Sequence, residues 1–238
     1  MNDMVFRNPN RSTRTRGRGA EVKNNISAIR RALLKWYSHS GRTFLWRKPN
    51  ATLYERIVAE ALLQRTQAGT VNSFFPGFLK RFPGWATLAL ATPEEIGEYL
   101  KPIGLWRRRA NSLSRLARSM AKRRGKFPKT RDEIEQLPGI GQYIASAVLL
   151  FSCGAREALL DTNMARVIER LFGPRRLVDI RYDPELQATA RLLVGDKTPS
   201  TVNWAILDLA ATVCKTTNPI CDRCPLVAWC LHPQSMRH

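Results

Sequence analysis

Acidic residues and long hydrophobic runs are scarce in this sequence. Its 238 residues include 39 Lys and Arg but only 19 Asp and Glu, so the formal net charge is +20. No apolar run approaches the roughly 18–20 residues of a transmembrane helix, and no apolar segment follows the basic N-terminus as it would in a secretory signal. We therefore expect an intracellular protein without membrane association, whose partner is a polyanion such as nucleic acid.

Regular alternation of apolar and polar residues, which would predict β-strands, is also absent. Apolar residues instead recur at helical spacing, as at Ile26, Ile29 and Leu33. Capping boxes at residues 92–95 and 130–133 predict two helix starts. Further helices are predicted over residues 54–63, 74–82, 182–194 and 201–213, and from residues 142 and 162 onward. A loop at residues 102–109 is predicted to lead into a helix that ends near residue 124. The sequence therefore predicts an all-α fold.

The N-terminal segment has little to bury. Residues 1–23 combine five arginines with Asn, Ser, Thr and Gly. This composition predicts a disordered basic arm. Such an arm can add non-specific phosphate contacts, but an inert tail would have the same composition.

A tight turn between two helices is predicted at L-P-G-I-G-Q-Y, residues 137–143. Two glycines allow positive φ and a close approach to the backbone. The turn also presents N–H groups at the start of the second helix, where the helix dipole favours an anion such as a DNA phosphate. An ordinary helix–turn–helix corner would share this pattern. Asp161 favours a functional site, because this carboxylate ends an apolar run just where a third helix begins.

The helix predicted to follow the loop at residues 102–109 and to end near residue 124 is strongly basic. A solvated helix face would also be charged, but acidic residues are lacking, which favours a side that faces DNA. Its cations are Arg107, Arg108, Arg109, Arg115, Arg118, Lys122, Arg123 and Arg124.

Glu60 stands in an apolar neighbourhood, between Val58 and Leu62. A carboxylate in such company lies at the rim of a helix or is buried for a functional reason. Spacing alone favours the rim.

Four of the five cysteines lie close together, in the pattern C-x6-C-x2-C-x5-C. Disulfides are disfavoured inside the cell, so this cluster predicts a metal site. Spacing leaves structural zinc and a four-iron cluster both open, since each accepts four thiolates. Cys153 stands apart and is predicted to be a buried small hydrophobic residue. The clustered residues are Cys214, Cys221, Cys224 and Cys230.

The hairpin sequence, followed by L-L-D-T-N, resembles the helix-hairpin-helix DNA glycosylase superfamily. The resemblance runs from about Thr43 to Cys230 and implies two lobes with a DNA cleft between them. It implies a six-helix barrel domain with the hairpin at residues 51–155, and an iron–sulfur domain made of residues 24–50 and 156–238. It also implies a nucleoid-associated monomer that acts on double-stranded DNA containing a mismatched or damaged base.

The resemblance assigns roles to particular residues. Asp161 matches the Asp beside the sugar whose base is removed, and Asn163 matches an Asn that orients this region. The string E-A-L-L-Q-R-T-Q resembles a segment of MutY-type adenine glycosylases and of thymine-mismatch glycosylases, in which Glu60 matches the active-site Glu. The cysteine spacing resembles that of endonuclease III and MutY-like enzymes, which implies a [4Fe–4S] cluster. Without the hairpin, an N-cap would be the simplest interpretation of Asp161.

The implied DNA contacts include two residues that enter the base stack. Arg65 matches an inserted Gln and Leu105 matches its apolar partner, although surface or packing residues would look the same. The full set of implied DNA-binding residues is Gly139, Ile140, Gly141, Gln142, Gln64, Arg65, Leu105 and Arg107.

Tyr143 bears on the reaction type. Superfamily members that also nick the strand carry Lys after the hairpin, where its amine forms a Schiff base with the sugar. Tyr cannot form that adduct, so the resemblance implies hydrolysis of the base without strand cleavage.

The implied substrate is thymine or uracil opposite guanine. Tyr143 and Ala68 match thymine-mismatch enzymes, and Trp204 stands where MutY enzymes carry a Gln that can address adenine. Trp204 also departs from the Leu of thymine enzymes and can be core packing. The chain ends at His238, so we expect no C-terminal domain for 8-oxoguanine. The alternatives are an adenine glycosylase acting on A:G mismatches and a DNA-binding protein without catalysis.

Overall fold

A computed structural model describes residues 25–232. Within this range the regular structure is helical and contains no β-strand, as predicted. The basic arm predicted at residues 1–23 lies outside the described residues. The eleven α-helices of the described range are α1 Ile26–Ser40, α2 Leu53–Leu63, α3 Ala68–Arg81, α4 Trp85–Leu90, α5 Pro93–Leu100, α6 Trp106–Lys122, α7 Arg131–Glu135, α8 Gln142–Cys153, α9 Thr162–Phe172, α10 Pro184–Val194 and α11 Pro199–Thr212.

The predicted capping signals begin helices. Thr92 accepts a hydrogen bond from the Glu95 amide while the Glu95 carboxylate accepts one from the Thr92 amide, so the capping box is complete. Thr130 also caps α7 by accepting from the Glu133 amide. Here the Thr130 hydroxyl itself donates to the Glu133 carboxylate at 2.7 Å. Local sequence therefore sets both helix starts.

Two helical stretches differ from the prediction. Helix α3 begins at Ala68, six residues before the predicted start at 74, and it continues through Pro76. Helix α4 was not predicted at all, because Pro83 and Gly84 signal a break and only six helical residues follow. In both cases burial of apolar side chains overrides weak local propensity. The residues concerned, Val71, Phe75, Trp85 and Leu88, are all buried.

The chain forms two compact units. The central unit is Arg42–Glu157 and holds α2 to α8. The terminal unit combines the chain before residue 42 with the chain after residue 157, and its described part holds α1 and α9 to α11. The domain boundaries implied by the family resemblance stay a prediction.

Each unit has its own core. In the central unit, Phe75, Phe78 and Phe82 are almost fully buried and form a chain of aromatic contacts. In the terminal unit, apolar residues of α1 pack with those of α9, α10 and α11 around Leu33 and Ile206. Among the described residues, no helix is both long and apolar enough to cross a membrane.

Candidate active site

The hairpin lies in the central unit, between α7 and α8. Gly139 has φ of +77°, and a Cβ built there would lie 3.2 Å from the Ser112 Cβ, so both conformation and space favour glycine. Gly141 differs from expectation: it is the N-cap of α8 with φ of −106° and has open space around it. Both glycines are exposed, whereas the Ile140 side chain is buried. The glycine backbone is therefore the accessible part of the turn.

Arg131 ties the two hairpin helices together. From α7 its guanidinium donates to the Ser146 hydroxyl on α8 at 3.1 Å and pairs with the Glu157 carboxylate at 2.7 Å. Ser146 also donates to Glu157 at 3.1 Å. Because these side chains are partly buried, the network fixes the angle of the turn.

Glu60 and Tyr143 meet inside the central unit. Tyr143 is the second residue of α8. Its hydroxyl donates to Glu60 Oε2 at 2.9 Å. Glu60 is only 3% exposed, so the rim position favoured by spacing is wrong. A buried carboxylate needs hydrogen-bond donors, and Tyr143 provides one.

Asp161 is the N-cap of α9 in the terminal unit. Its Oδ1 accepts from the amides of Asn163 and Met164 at 2.9 and 2.8 Å. Its Oδ2 accepts from the side-chain amide of Asn163 at 2.7 Å. Three donors thus hold the carboxylate in one orientation. The orienting role implied for Asn163 stays a prediction. The capping role and a catalytic role are compatible, because both use the same fixed carboxylate.

Arg166 continues this network. It donates to Asn163 Oδ1 at 3.1 Å and to the carbonyl oxygens of Ala210 and Cys214, both at 3.0 Å. One turn later on α9, Arg170 donates to the Cys214 sulfur at 3.2 Å. Hydrogen bonds therefore connect the Asp161 carboxylate to the first residue of the cysteine cluster.

The residues predicted for the base pocket belong to different units. Ala68 is the first residue of α3 in the central unit, and Trp204 lies on α11 in the terminal unit, each partly buried. Next to Trp204, the fully buried Asn203 accepts from the Leu159 amide at 2.7 Å and donates to the Pro199 carbonyl. Asn203 thereby fixes the chain just before Asp161, a role that the sequence did not reveal.

Arg65 and Leu105, the predicted wedge residues, share an uncommon conformation. Arg65 has φ of +59° and Leu105 has φ of +51°, in the left-handed region that non-glycine residues rarely adopt. Both are exposed, and Leu105 retains 52% of its accessible surface. Together with Gln64, Gly139 and Ile140 they line one cavity of about 310 Å³ in the central unit.

The basic helix α6 presents most of its cations to solvent. Arg109 is the exception. It was predicted to face DNA with the other cations, but its side chain is buried. Arg107 also stacks its guanidinium over the Trp106 ring, with 4.5 Å to the ring centroid. The predicted cations that are exposed are Arg107, Arg108, Arg115, Arg118, Lys122, Arg123 and Arg124.

The four clustered cysteines line a single cavity in the terminal unit, together with Arg170 and His232. Burial raises the pKa of the Cys230 thiol to about 11 and also raises that of Cys224, and the neighbouring cysteines add to both shifts. Thiolates at these positions need a positive centre to balance them, so the donor chemistry fits a metal cluster. As placed, no three His, Cys, Asp or Glu side chains within residues 25–232 form a group that holds a metal ion.

Cys153 departs from its prediction. Its side chain is exposed at the end of α8 in the central unit, rather than buried. Its thiol donates to the Leu149 carbonyl at 3.0 Å. The apolar face of α8 ends before it, so no side chain among residues 25–232 buries the thiol.

A glycine turn that opens the N-terminus of a helix towards solvent, on a unit rich in exposed arginine, is the arrangement of a helix-hairpin-helix DNA-binding protein. A solved structure of a thermostable thymine-DNA glycosylase has a similar fold. The two superpose with a TM-score of 0.81 at 28% identity, over 89% of this chain and 98% of that one.

The chain belongs to the HhH-GPD superfamily of base excision DNA repair proteins, whose sequence profile matches residues 58–183. It is 37% identical to a thymine-DNA glycosylase of Aeropyrum pernix over 88% of this chain and 96% of that protein. It is 40% identical to a thymine/uracil-DNA glycosylase of Pyrobaculum aerophilum over 85% of this chain and 90% of that protein. These similarities establish the family and DNA glycosylase activity.

Proposed function

We propose that this protein is a monofunctional DNA glycosylase that removes thymine or uracil from G:T and G:U mismatches. The observation that carries the proposal is the partly buried contact between Glu60 and Tyr143 beside the hairpin. It places a phenol, rather than an amine, at the position after the turn. The names of the two relatives, thymine-DNA glycosylase and thymine/uracil-DNA glycosylase, support the choice of base.

DNA binding begins at the hairpin and the basic surface. The exposed backbone of Gly139 and Gly141, at the N-terminus of α8, suits a phosphate oxygen, with Gln142 beside it. The exposed arginines of α6 add charge without sequence preference. The protein then acts as a monomer on chromosomal duplex DNA.

The target base must leave the stack before it can react, which costs a few kcal/mol. Arg65 and Leu105 are exposed on two loops that border the same cavity as the hairpin. We assign them to fill the space that the base leaves. Gln64 and Arg107, adjacent to these loops, contact the distorted strand.

Asp161 stabilises the positive charge that builds on the sugar as the N-glycosidic bond breaks. Its carboxylate is fixed by Asn163 and by the first turn of α9, so it needs no reorganisation during the reaction. A water molecule attacks C1′ and gives up a proton, while the base leaves with the bonding electron pair and takes up a proton. Glu60 is the group proposed to transfer these protons.

Tyr143 keeps the reaction at hydrolysis. Its hydroxyl donates to Glu60 and has no nucleophilic amine with which to form a Schiff base. The product is therefore an intact strand with an abasic site, which breaks only in alkali.

The cysteine cavity is proposed to hold a [4Fe–4S] cluster through Cys214, Cys221, Cys224 and Cys230. When bound, the cluster would supply a covalent cross-link across a segment that contains only short 3-10 turns. Arg170 holds this segment on α9 by donating to the carbonyl oxygens of Lys215 and Thr216.

Base choice depends on Ala68, Trp204 and Tyr143. A small Ala68 and the indole of Trp204 leave no side-chain amide at these two positions to pair with adenine. The bulk of Trp204 sets the preference between thymine and uracil, whose only difference is one methyl group.

Single-turnover excision from labelled duplexes tests the proposal. G:T, G:U, G:A and A:8-oxoguanine pairs are compared at equal enzyme concentration, with Asp161→Asn as the catalytic control. We expect alkali-dependent strand breaks from G:T and G:U, and no complex trapped by borohydride. Faster release of adenine would contradict the proposal and identify an adenine glycosylase instead. If folded protein excised no base at all, the protein would be a DNA-binding protein without catalysis.

A further inference from the structure

The guanidinium of Arg109 joins two loops of the central unit. Its Nη1 donates to the carbonyl oxygens of Ile103 and Gly104, both at 2.9 Å. Its Nη2 donates to the Gln64 carbonyl at 2.5 Å and to the Thr66 hydroxyl at 2.6 Å. The side chain is buried, with 8% of the residue exposed. One cation therefore joins the loop directly before α6 to a loop that lies more than 40 residues earlier in the sequence.

These two loops carry the proposed wedge residues. Arg65 lies between Gln64 and Thr66, and Leu105 directly follows Gly104. Both have positive φ, so neither loop would adopt this shape from local preference alone. Each left-handed residue is flanked by an acceptor of Arg109. Besides Arg109, the Thr66 hydroxyl joins the two loops by donating to the Ile103 carbonyl at 3.5 Å, so the four bonds of Arg109 are the larger part of the connection.

We propose that Arg109 is a positioning residue that presets the two loops so that Arg65 and Leu105 enter the DNA stack as one rigid wedge. The inference rests on the proposed function, since it needs a base to be turned out of the duplex. Arg109 itself does not touch DNA, because its donors are directed at the protein's own carbonyl and hydroxyl groups. Its effect on the reaction passes through the shape of the loops.

The planar geometry of the arginine guanidinium is needed to bind both loops at this position. Four acceptors lie on two loops, and the guanidinium reaches them with two nitrogens that lie in one plane. A lysine ammonium keeps the charge but is a single point with three donors, so it cannot hold both loops at their present separation. Burial lowers the pKa of Arg109 without removing its charge.

The test compares Arg109→Lys with Arg56→Lys in the full chain. Arg56 is a matched control, because it also lies in the central unit, is partly buried and donates to two loop carbonyl groups, those of Ala51 and Lys48. Its loops carry none of the proposed wedge residues. Both substitutions should lower thermal stability, so stability alone does not decide the question.

The deciding measurement is the unstacking of DNA. Each variant is combined with Asp161→Asn to slow the chemistry and is bound to a G:T duplex with 2-aminopurine beside the mismatch. We expect the fluorescence increase to fall severalfold with Arg109→Lys and to be kept with Arg56→Lys. With Asp161 intact, single-turnover excision from G:T should fall by about 10-fold to 10²-fold for Arg109→Lys. It should fall less when the target base faces an abasic site, where no pair must be opened.

Two results would overturn the inference. One is an equal excision defect on the paired and the unpaired target, and the other is a fluorescence increase that Arg109→Lys leaves unchanged. Failure of the proposed function would be recognised separately. In that case the wild-type protein would excise neither thymine nor uracil from any duplex, while the fluorescence comparison would still show whether Arg109 positions the wedge.

Discussion

The two units of the molecule hold their proposed reactive carboxylates in opposite ways. In the central unit, Glu60 is buried and receives a hydrogen bond from Tyr143, 83 positions away in sequence. In the terminal unit, Asp161 is partly exposed and is held by Asn163 and Met164, within three positions. The position of Glu60 is set by a contact between distant segments, and the position of Asp161 is set by the first turn of its own helix.

This difference predicts how each carboxylate responds to change. A helix cap needs only an acceptor at the right position, so it tolerates replacement of Asp by Asn. A buried carboxylate needs its donor, because an unpaired charge in the interior is costly. We therefore expect changes at Asp161 to affect the reaction and changes around Glu60 to affect stability as well.

The largest effect should follow Asp161→Asn. Asparagine keeps the size and the N-cap of α9 but loses the negative charge beside the sugar, so excision should fall by about 10²-fold or more. DNA affinity and the free energy of unfolding should change little. Single-turnover excision, filter binding and urea unfolding of the same preparation check the three quantities.

The matched comparison is Asp161→Ala, which removes both the charge and the cap. It should lose the same activity and in addition about 1 kcal/mol of stability. If Asp161→Asn kept wild-type excision, the carboxylate would be a cap and nothing more.

Replacement of a clustered cysteine should act on the terminal unit alone. We expect Cys224→Ser to lower the iron and acid-labile sulfide content, and to increase hydrogen exchange in residues 158–232 while α2 to α8 stay protected. Cys153→Ser is the control, because that thiol is exposed and lies in the central unit. Stoichiometric zinc in wild-type protein from iron-replete cells would contradict the assignment.

Tyr143→Phe tests the central unit. Removing the hydroxyl takes from the buried Glu60 one hydrogen bond, the 2.9 Å bond from Tyr143, which should cost about 1–3 kcal/mol of unfolding free energy. Tyr99→Phe is a matched control: its ring packs against Phe82, and its hydroxyl makes no hydrogen bond within the described residues. Equal losses in urea unfolding for the two variants would show that the contact with Glu60 contributes nothing.

Local signals predicted three of the helix starts and the hairpin. Thr92, Thr130 and Asp161 each cap the helix that the sequence predicted, because capping involves residues only two or three positions apart. The turn at Gly139 likewise follows from the residues themselves. These features need no knowledge of the rest of the fold.

Contacts between distant segments were not predictable from pattern. Spacing placed Glu60 at a helix rim, and composition placed Arg109 with the DNA-facing cations, yet both side chains are buried. Periodicity reports which face of a helix is apolar, but not which distant hydroxyl or carbonyl group satisfies a charge within it. Helix α4 was missed for a similar reason, since Trp85 is stabilised by its tertiary contacts with Tyr54 and Phe127.

The smallest effect is expected from a single surface cation. Arg115 is exposed on α6, so Arg115→Ala should remove about one phosphate contact and reduce the slope of log affinity against log salt by roughly 0.9. Excision at saturating enzyme should stay the same, because neither carboxylate is disturbed. Lys80→Ala makes the same change in net charge at an exposed position of α3 outside the proposed DNA surface. If both variants reduced the slope equally, net charge rather than the α6 surface would govern binding.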